Sequence, residues 1–457
     1  MAQTLNSEKT PEQRESSRGF SAHVALTLAT RILMSINSVG AGIIIARWLG
    51  AEGLGAFAVI SVTIATAVQL SNAGLPSANT YFIARNRNDL YPVAVNSLLF
   101  AALVGGLLAG ALVLLAVRMP GLFGSVPAKL LGLAAVAIPF QLVNLLGLNI
   151  FLATGRIDRF NLLDLLGQSF ILINALLALV LLRQGLVTLV ALNAAASVVT
   201  ALLVAYFVGR EIGREATRFY GHETGGLFRR MLLYGIKFHI ATLASLLVFR
   251  LDLLVVNHFR GSAEAGVYSV TSQVAMMLML LPGAIASLLF PKLTSARDTS
   301  GDLICRVTRH TAFIMLLICL AAAPVGFVLP LLYGSGFADL PIQLLILLPG
   351  VLLVSIESVM VQHFSAAGLP RTIPLLWVVT LAVNLALTFA LVPGFGARGA
   401  AVASTLSYAL IFALVCFYFR AATGIRMSTA FILKARELRE MFSPGGAAFR
   451  QRWSTRG

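Results

Sequence analysis

The sequence predicts an all-α polytopic membrane protein with twelve transmembrane helices in two six-helix pseudo-twofold lobes around a central cavity, and three observations predict it. The first is composition: 58% of the 457 residues are apolar, 11% are charged, and the mean hydropathy is +0.89, far from a soluble domain. The second is a duplication. Gly50-Ala51-Glu52-Gly53-Leu54-Gly55-Ala56-Phe57-Ala58-Val59 returns 211 positions later as Gly261-Ser262-Ala263-Glu264-Ala265-Gly266-Val267-Tyr268-Ser269-Val270, each between long apolar runs. A weaker echo at the same offset pairs residues 185–191 with 396–402. Duplicated halves in an apolar chain are a mark of transport folds, with the ligand between the repeats. The third is the distribution of Lys and Arg, taken up below.

Apolar runs long enough to cross about 30 Å of hydrocarbon lie at 24–47, 54–84, 93–117, 128–153, 160–182, 187–209, 236–259, 265–290, 310–332, 340–366, 372–392 and 399–419. Six spans in each half give both repeats the same orientation. Of the 34 Lys and Arg, 25 fall on the side of the termini, 6 on the other, and Arg31, Lys237 and Arg250 within spans, which places both termini in the cytoplasm. The net charge of +16 is therefore a topology signal, and nucleic acid is excluded as a partner. The expected divisions are a tail over 1–23, an N-lobe over 24–210, a cytoplasmic linker over 211–235, a C-lobe over 236–420 and a basic tail over 421–457.

In span 1, Arg31 lies about two turns in, on a stripe with Thr27, Ser35, Ser38 and Gly42, which suits a wet cavity wall, close helix packing or snorkelling to the interface. Span 2 carries Gly74-Leu75-Pro76 after Gln69 and Asn72, a place where helix hydrogen bonds break and a neighbour must replace them; Pro139, Pro282 and Pro374 mark other kinks. Span 5 begins with Asn161, Asp164 and Gln168 on one face, shallow enough for solvation.

Span 7 is the most heavily charged. Arg250 and Asp252 stand near its middle, where an ionised residue facing lipid costs about 2.5–3.5 kcal/mol, and at a separation of two they point apart. Arg250 shares a stripe with His239 and Asn257, while Asp252 lies with Ser245. These groups either line a cavity or pair with neighbouring helices. In span 10, Glu357 stands above Gln362 and His363 and serves as a gate, an ion-coupling carboxylate or a partner for a cation. At the 211 offset Arg31 matches Thr242, Arg250 matches Val39 and Asp252 matches Ala41, so glycines and aromatics are duplicated but the buried charges are not. After span 12, Phe431, Ala435, Leu438 and Phe442 recur at helical spacing among basic residues, as in a helix lying on the inner leaflet.

Other chemistry finds no support. Cys305, Cys319 and Cys416 form no CxxC pair, the six His have no ligand spacing, and no Gly-Lys dipeptide occurs; no metal, cofactor or phosphate loop is expected. The first 23 residues are polar and the first apolar run is a full span, so no cleaved signal peptide is expected.

Residues 20–420 resemble the polysaccharide transporter family of the multidrug/oligosaccharidyl-lipid/polysaccharide exporter superfamily. The pieces that carry the likeness are 46–55 (ARWLGAEGLG), 72–75 (NAGL), 81–85 (YFIAR), 250–252 (RLD), 266–269 (GVYS), 366–368 (AAG) and the turn at 396–401. The resemblance implies alternating access between two lobes and movement of a polyprenyl-pyrophosphate-linked oligosaccharide to the periplasmic leaflet of the bacterial inner membrane. Membrane lipid, the lipid-linked substrate and polysaccharide assembly machinery are the implied partners. It assigns a pyrophosphate-holding role to Arg31 and Arg250 alone; His239 and Asn257 are substrate-binding candidates because they share the Arg250 stripe, and Asp252 and Glu357 are coupling or gating candidates because they are carboxylates within spans. Two other activities compete: a cation-coupled drug exporter using Asp252 or Glu357, and a glycosyl ligase or polymerase, which needs a larger outer loop than any expected here. The first reading is not that of an enzyme.

Overall fold

A computed structural model of the protein describes residues 11–215, 224–296, 301–366, 368 and 370–431. Among them the secondary structure is helical: α1 (Pro11–Ser71), α2 (Leu75–Arg85), α3 (Leu90–Arg118), α4 (Ala128–Ala135), α5 (Ala137–Ala153), α6 (Ile157–Ala175), α7 (Leu186–Glu215), α8 (Thr224–Arg260), α9 (Ser262–Leu278), α10 (Leu280–Ala296), α11 (Asp302–Tyr333), α12 (Leu340–Ala366), α13 (Thr372–Thr423) and α14 (Met427–Phe431). Ten stretches of described helix are long and apolar enough to cross a membrane. The surface-helix pattern expected over 431–442 lies outside the described residues beyond Phe431, as does 216–223 of the expected linker.

Helices α1–α7 pack chiefly on one another, as do α8–α13, and the halves meet mainly where α1 crosses α9 and α2 crosses α8. The apolar interior runs through both halves, with Leu142, Leu146 and Ile150 of α5 and Val351, Val359 and Met360 of α12 at its centre.

The duplicated glycines hold the same backbone shape. Gly50 has φ 69° and ψ −174°, and Gly261 has φ 85° and ψ 173°, a region open to glycine and closed to residues with a Cβ. At Gly50 the helix is broken but passes directly into its second segment, so the loop expected around 48–53 is a single glycine. The weaker echo behaves differently. Gly396 breaks α13 at φ 61° and ψ −141°, whereas at its counterpart Gly185 the positive φ belongs to Arg183 instead, at 51°. Glu264 supports the Gly396 break, accepting from the Ala397 amide at 2.6 Å and from Arg260 Nε at 2.9 Å; a carboxylate there also meets the positive end of the helix that follows.

The break expected at Gly74-Leu75-Pro76 divides span 2 into the end of α1 and α2. The Asn72 side chain accepts from the Gly74 amide at 2.8 Å and donates to Gln69 Oε1 at 3.0 Å, replacing helix bonds that the turn removes. Span 8 breaks at Met279, three residues before Pro282, and span 4 at Val136, three before Pro139. A proline removes bonds in the turn preceding it, which accounts for both displacements.

Candidate functional site

At the Gly50 end of the molecule the two halves meet in close backbone contact. A Cβ on Gly55 would overlap the Ser262 carbonyl oxygen, and one on Gly266 would overlap that of Ala51. Both pairs are related by the repeat: Gly55 is the counterpart of Gly266, and Ala51 that of Ser262. Around this crossing Asn257 donates to the Phe123 carbonyl at 2.7 Å and accepts from Ser262 Oγ at 2.9 Å, Ser125 and Ser262 share a bond of 2.6 Å, and His258 Nδ1 lies 3.0 Å from the Gly121 carbonyl. Arg47 of α1 donates to the Leu332 carbonyl of α11 at 2.7 Å and to that of Leu331. Asn257, expected on a stripe with Arg250, is therefore part of this seam.

Towards the other end the halves touch where α2 crosses α8. A Cβ on Gly74 would overlap the Gly235 carbonyl oxygen and stand 2.8 Å from its Cα. Two turns further along α2, the Tyr81 ring stacks on that of Tyr234, the neighbour of Gly235, at 4.4 Å with 17° between planes, and Arg85 donates to the Tyr81 hydroxyl at 3.0 Å. These residues border a groove of about 720 Å³ that also takes in Pro76, Thr80 and Asn149.

The two charges of span 7 have different surroundings. Asp252 is 2% exposed. It accepts from Tyr268 of α9 and, at 2.9 Å, from Ser404 of α13, while its second oxygen takes the Leu253 amide at 2.8 Å. A buried carboxylate satisfied by three donors ties α8, α9 and α13 together, each charge-assisted bond contributing about 1.5–3 kcal/mol. Arg250 is half-buried, with Asp252 and Tyr408 as its electrostatic neighbours, and among the described residues it forms no hydrogen bond or ion pair. His239 is buried on the same helix.

Arg31 and Glu357 have opposite situations. Arg31 Nη1 lies 3.1 Å from Asp164 Oδ2 and its guanidinium 5.9 Å from the centre of the Phe160 ring. Asp164, read from sequence as simply solvated, is thus the partner of Arg31; the two are 133 residues apart, and no local spacing reports such a pair. Glu357 is 2% exposed in the interior of α12, and its Oε1 has no hydrogen-bond partner. A further acidic residue passed over by the sequence reading, Glu211, is gripped by Arg159 at 2.6 Å, Arg156 at 3.0 Å and Arg214 at 3.7 Å. This clasp ties the end of α7 to the start of α6. Among the described residues no group of three or more His, Cys, Asp or Glu could hold a metal.

Residues 16–296, containing the Gly50 and Gly261 segments, the Gly74 break and the Arg250-Leu251-Asp252 run, match the family described as polysaccharide biosynthesis protein. The chain belongs to that family. It is similar to a putative O-antigen transporter of Shigella flexneri, 25% identical over 213 residues, which are 45% of this chain and 50% of that protein. It is also similar to the probable flippase AglR of Haloferax volcanii, 31% identical over 170 residues, 35% of either chain. The match thus spans half the length of the first relative and about a third of the second. The fold is shared with solved structures at low identity. A MATE-family multidrug resistance transporter in an inward-facing conformation superposes with a TM-score of 0.71 at 16% identity, over 88% of this chain and 98% of that one. The lipid II flippase MurJ in an inward closed conformation gives 0.68 at 15% identity, over 87% of each. The family's fold is therefore the one these two transporters use.

Proposed function

We propose that the protein is a flippase that moves a polyprenyl-diphosphate-linked oligosaccharide across the inner membrane, from the cytoplasmic to the periplasmic leaflet, by alternating access between two lobes. The observation that carries the reading is Arg250: a cation within an apolar span that forms no hydrogen bond or ion pair among the described residues, in a chain that pairs Arg31 with Asp164. A guanidinium in such a place is stabilised by an anion supplied from outside, and a diphosphate accepts its planar fork of donors. Arg250 is accordingly the diphosphate-holding residue. Arg31 contributes at the cytoplasmic mouth, and His239 lies along the route on α8. Asp252 holds the C-lobe helices around Arg250, and Glu357 is a buried carboxylate available for coupling.

The long broken helices support the topology. The stretches Ala25–Ser71 and Thr372–Thr423, of 47 and 52 residues, would measure about 70 and 78 Å at 1.5 Å per residue, more than twice the hydrocarbon thickness. Counting each as two crossings gives twelve, six per lobe, with both termini cytoplasmic by the Lys and Arg distribution. The seam of Gly55 and Gly266 then closes the periplasmic side, as in a transporter waiting for cargo from within. The residues do positional work and no bond making, and partners in polysaccharide assembly would act on either side of the step.

A clean deletion tests this. Loss of one surface or exported glycan, with its lipid-linked precursor accumulating on the inner leaflet, is the expected result. Normal glycan export in a strain without a redundant flippase would refute it, and drug sensitivity with unchanged glycan would favour a multidrug exporter instead.

A further inference from the structure

A second cavity, which does not include Arg250 in its wall, lies among α1, α5, α6 and α7. It has a volume of about 390 Å³, where one water's share is about 30 Å³, and a close-packed interior leaves few voids larger than a water. Its uncharged hydrogen-bonding side chains are Gln141 and Asn144 on α5, Gln168 on α6, Asn193, Ser197 and Thr200 on α7, and Ser61 on α1, which donates to the Phe57 carbonyl of its own helix. The spacing of three on α5, and of four and three on α7, puts each set on one helix face. The one charged residue in the wall, Asp164, is already paired with Arg31 at 3.1 Å.

These side chains exceed what holding helices together requires. Asn144 Nδ2 donates to Thr200 Oγ1 at 2.8 Å and Gln141 Nε2 to Ser197 Oγ at 3.4 Å, joining α5 to α7. An amide offers two donors and a carbonyl oxygen, and much of that capacity is unspent. Asn144 Oδ1 has no partner, and Gln168 forms no hydrogen bond with any described residue. Spare amides inside a membrane domain are costly unless something polar fills the space.

The chemistry of the wall selects the occupant. There is no free cation for a phosphate and no free carboxylate for a cationic drug. What remains is a set of uncharged donors and acceptors with apolar surface from Phe57 and Leu145 between them, complementary to a neutral sugar, whose ring offers hydroxyls at its edge and C–H groups on its faces. We propose that this cavity receives a short neutral stretch of the glycan while Arg250 holds the diphosphate, an inference that rests on the flippase reading. The volume is at the low end of the roughly 300–1,000 Å³ of small-molecule pockets, so the cavity takes one end of an oligosaccharide. An acidic sugar is disfavoured, because it would bring a second carboxylate to Asp164.

The test uses the full-length protein in liposomes with two probes: lipid-linked oligosaccharide extracted from the cells that make this protein, and the same polyprenyl diphosphate without sugar. In the double variant Gln168→Leu, Ser197→Val, movement of the glycan-bearing lipid is expected to fall about tenfold or more, while binding of the sugar-free lipid keeps its wild-type affinity. The conservative pair Gln168→Asn, Ser197→Thr should recover most of the loss. An equal fall for both lipids would make the cavity structural and overturn the inference, as would wild-type movement of the glycan lipid by the double variant. Wild-type protein that binds neither lipid would refute the flippase reading itself, and the sugar site with it.

Discussion

The seam at Gly55 and Gly266 makes a mechanical prediction. If it is what closes the Gly50 end, one methyl group placed in it should open that end. A Cβ at Gly55 would overlap the Ser262 carbonyl oxygen and stand 2.7 Å from the Gly266 nitrogen, against a dispersion optimum near 3.5 Å or beyond. Helix α9 must therefore withdraw by more than about 1 Å in Gly55→Ala, since the overlap with the Ser262 carbonyl oxygen is tighter still, and backbone atoms on both sides leave no flexible side chain to yield instead. Overpacking of this kind costs about 1–3 kcal/mol, charged only to the closed state, so the ratio of open to closed molecules should rise by about 5- to 150-fold. The assay is labelling of Val267→Cys, a residue 6% exposed beside the crossing, by a membrane-impermeant maleimide added outside, in a background with Cys305, Cys319 and Cys416 replaced. Gly55→Ala and its counterpart Gly266→Ala should each accelerate labelling by a similar factor. Unchanged labelling in both variants at normal abundance would show that something other than this crossing holds the end shut.

Further variants probe the buried polar groups. At Arg250 the order of transport should be wild type, then Lys, then Ala, then Glu: Lys keeps a charge without the planar fork, and Ala loses roughly ten- to a hundredfold in substrate affinity for about 1.5–3 kcal/mol of charge-assisted bonding. Rescue of Arg250→Glu by Asp252→Arg, or normal transport by all three variants at wild-type abundance, would remove the diphosphate role. Asp252→Ala leaves the Tyr268 and Ser404 hydroxyls without their shared acceptor and should lower the melting temperature in detergent by an amount equivalent to about 1–3 kcal/mol per orphaned group; an unchanged melt would mean that the network is not structural. Glu357→Gln removes an acid that has no partner at Oε1, so the melting temperature should hold or rise, and a fall of several degrees would reveal a bonded carboxylate. A double-mutant cycle on Arg31 and Asp164 should give a coupling of about 1 kcal/mol or less, since the Arg31 side chain is 41% exposed and solvent screens such pairs.

Much of the fold could be read from the chain because the bilayer enforces it. Apolar runs mark the spans, and an ionised residue such as Arg250 stands out against them. The turn at Gly50 was legible for a different reason: its duplicate at Gly261 turned one ambiguous glycine into a pair. Pairings across long separations were not legible, since nothing near Asp164 announces Arg31, and nothing near Asp252 announces Ser404. Asn257 misled because helical spacing assigns a face but not a depth: it sits in the seam, two turns beyond Arg250. Of the second cavity's amides, Gln168 was legible on its span 5 face, while those on spans 4 and 6 left a trace, neutral polar residues spaced three and four apart, that attention to charge passed over.

The seam also bears on descent. Gly55 meets Ser262, the counterpart of Ala51, and Gly266 meets Ala51 itself, so residue i touches j while j touches i, the geometry of an isologous two-fold interface. A single six-span unit could make this contact with a second copy of itself, and joining two such units end to end would preserve it unchanged. The fused chain keeps the constraint where the copies meet, since a larger residue on either strand of the crossing collides with the backbone of the other. Elsewhere fusion lifts the requirement that both copies agree. Val39 and Arg250, identical by necessity in a dimer of identical units, are free to differ in one chain, and a cation can then be placed on one wall alone.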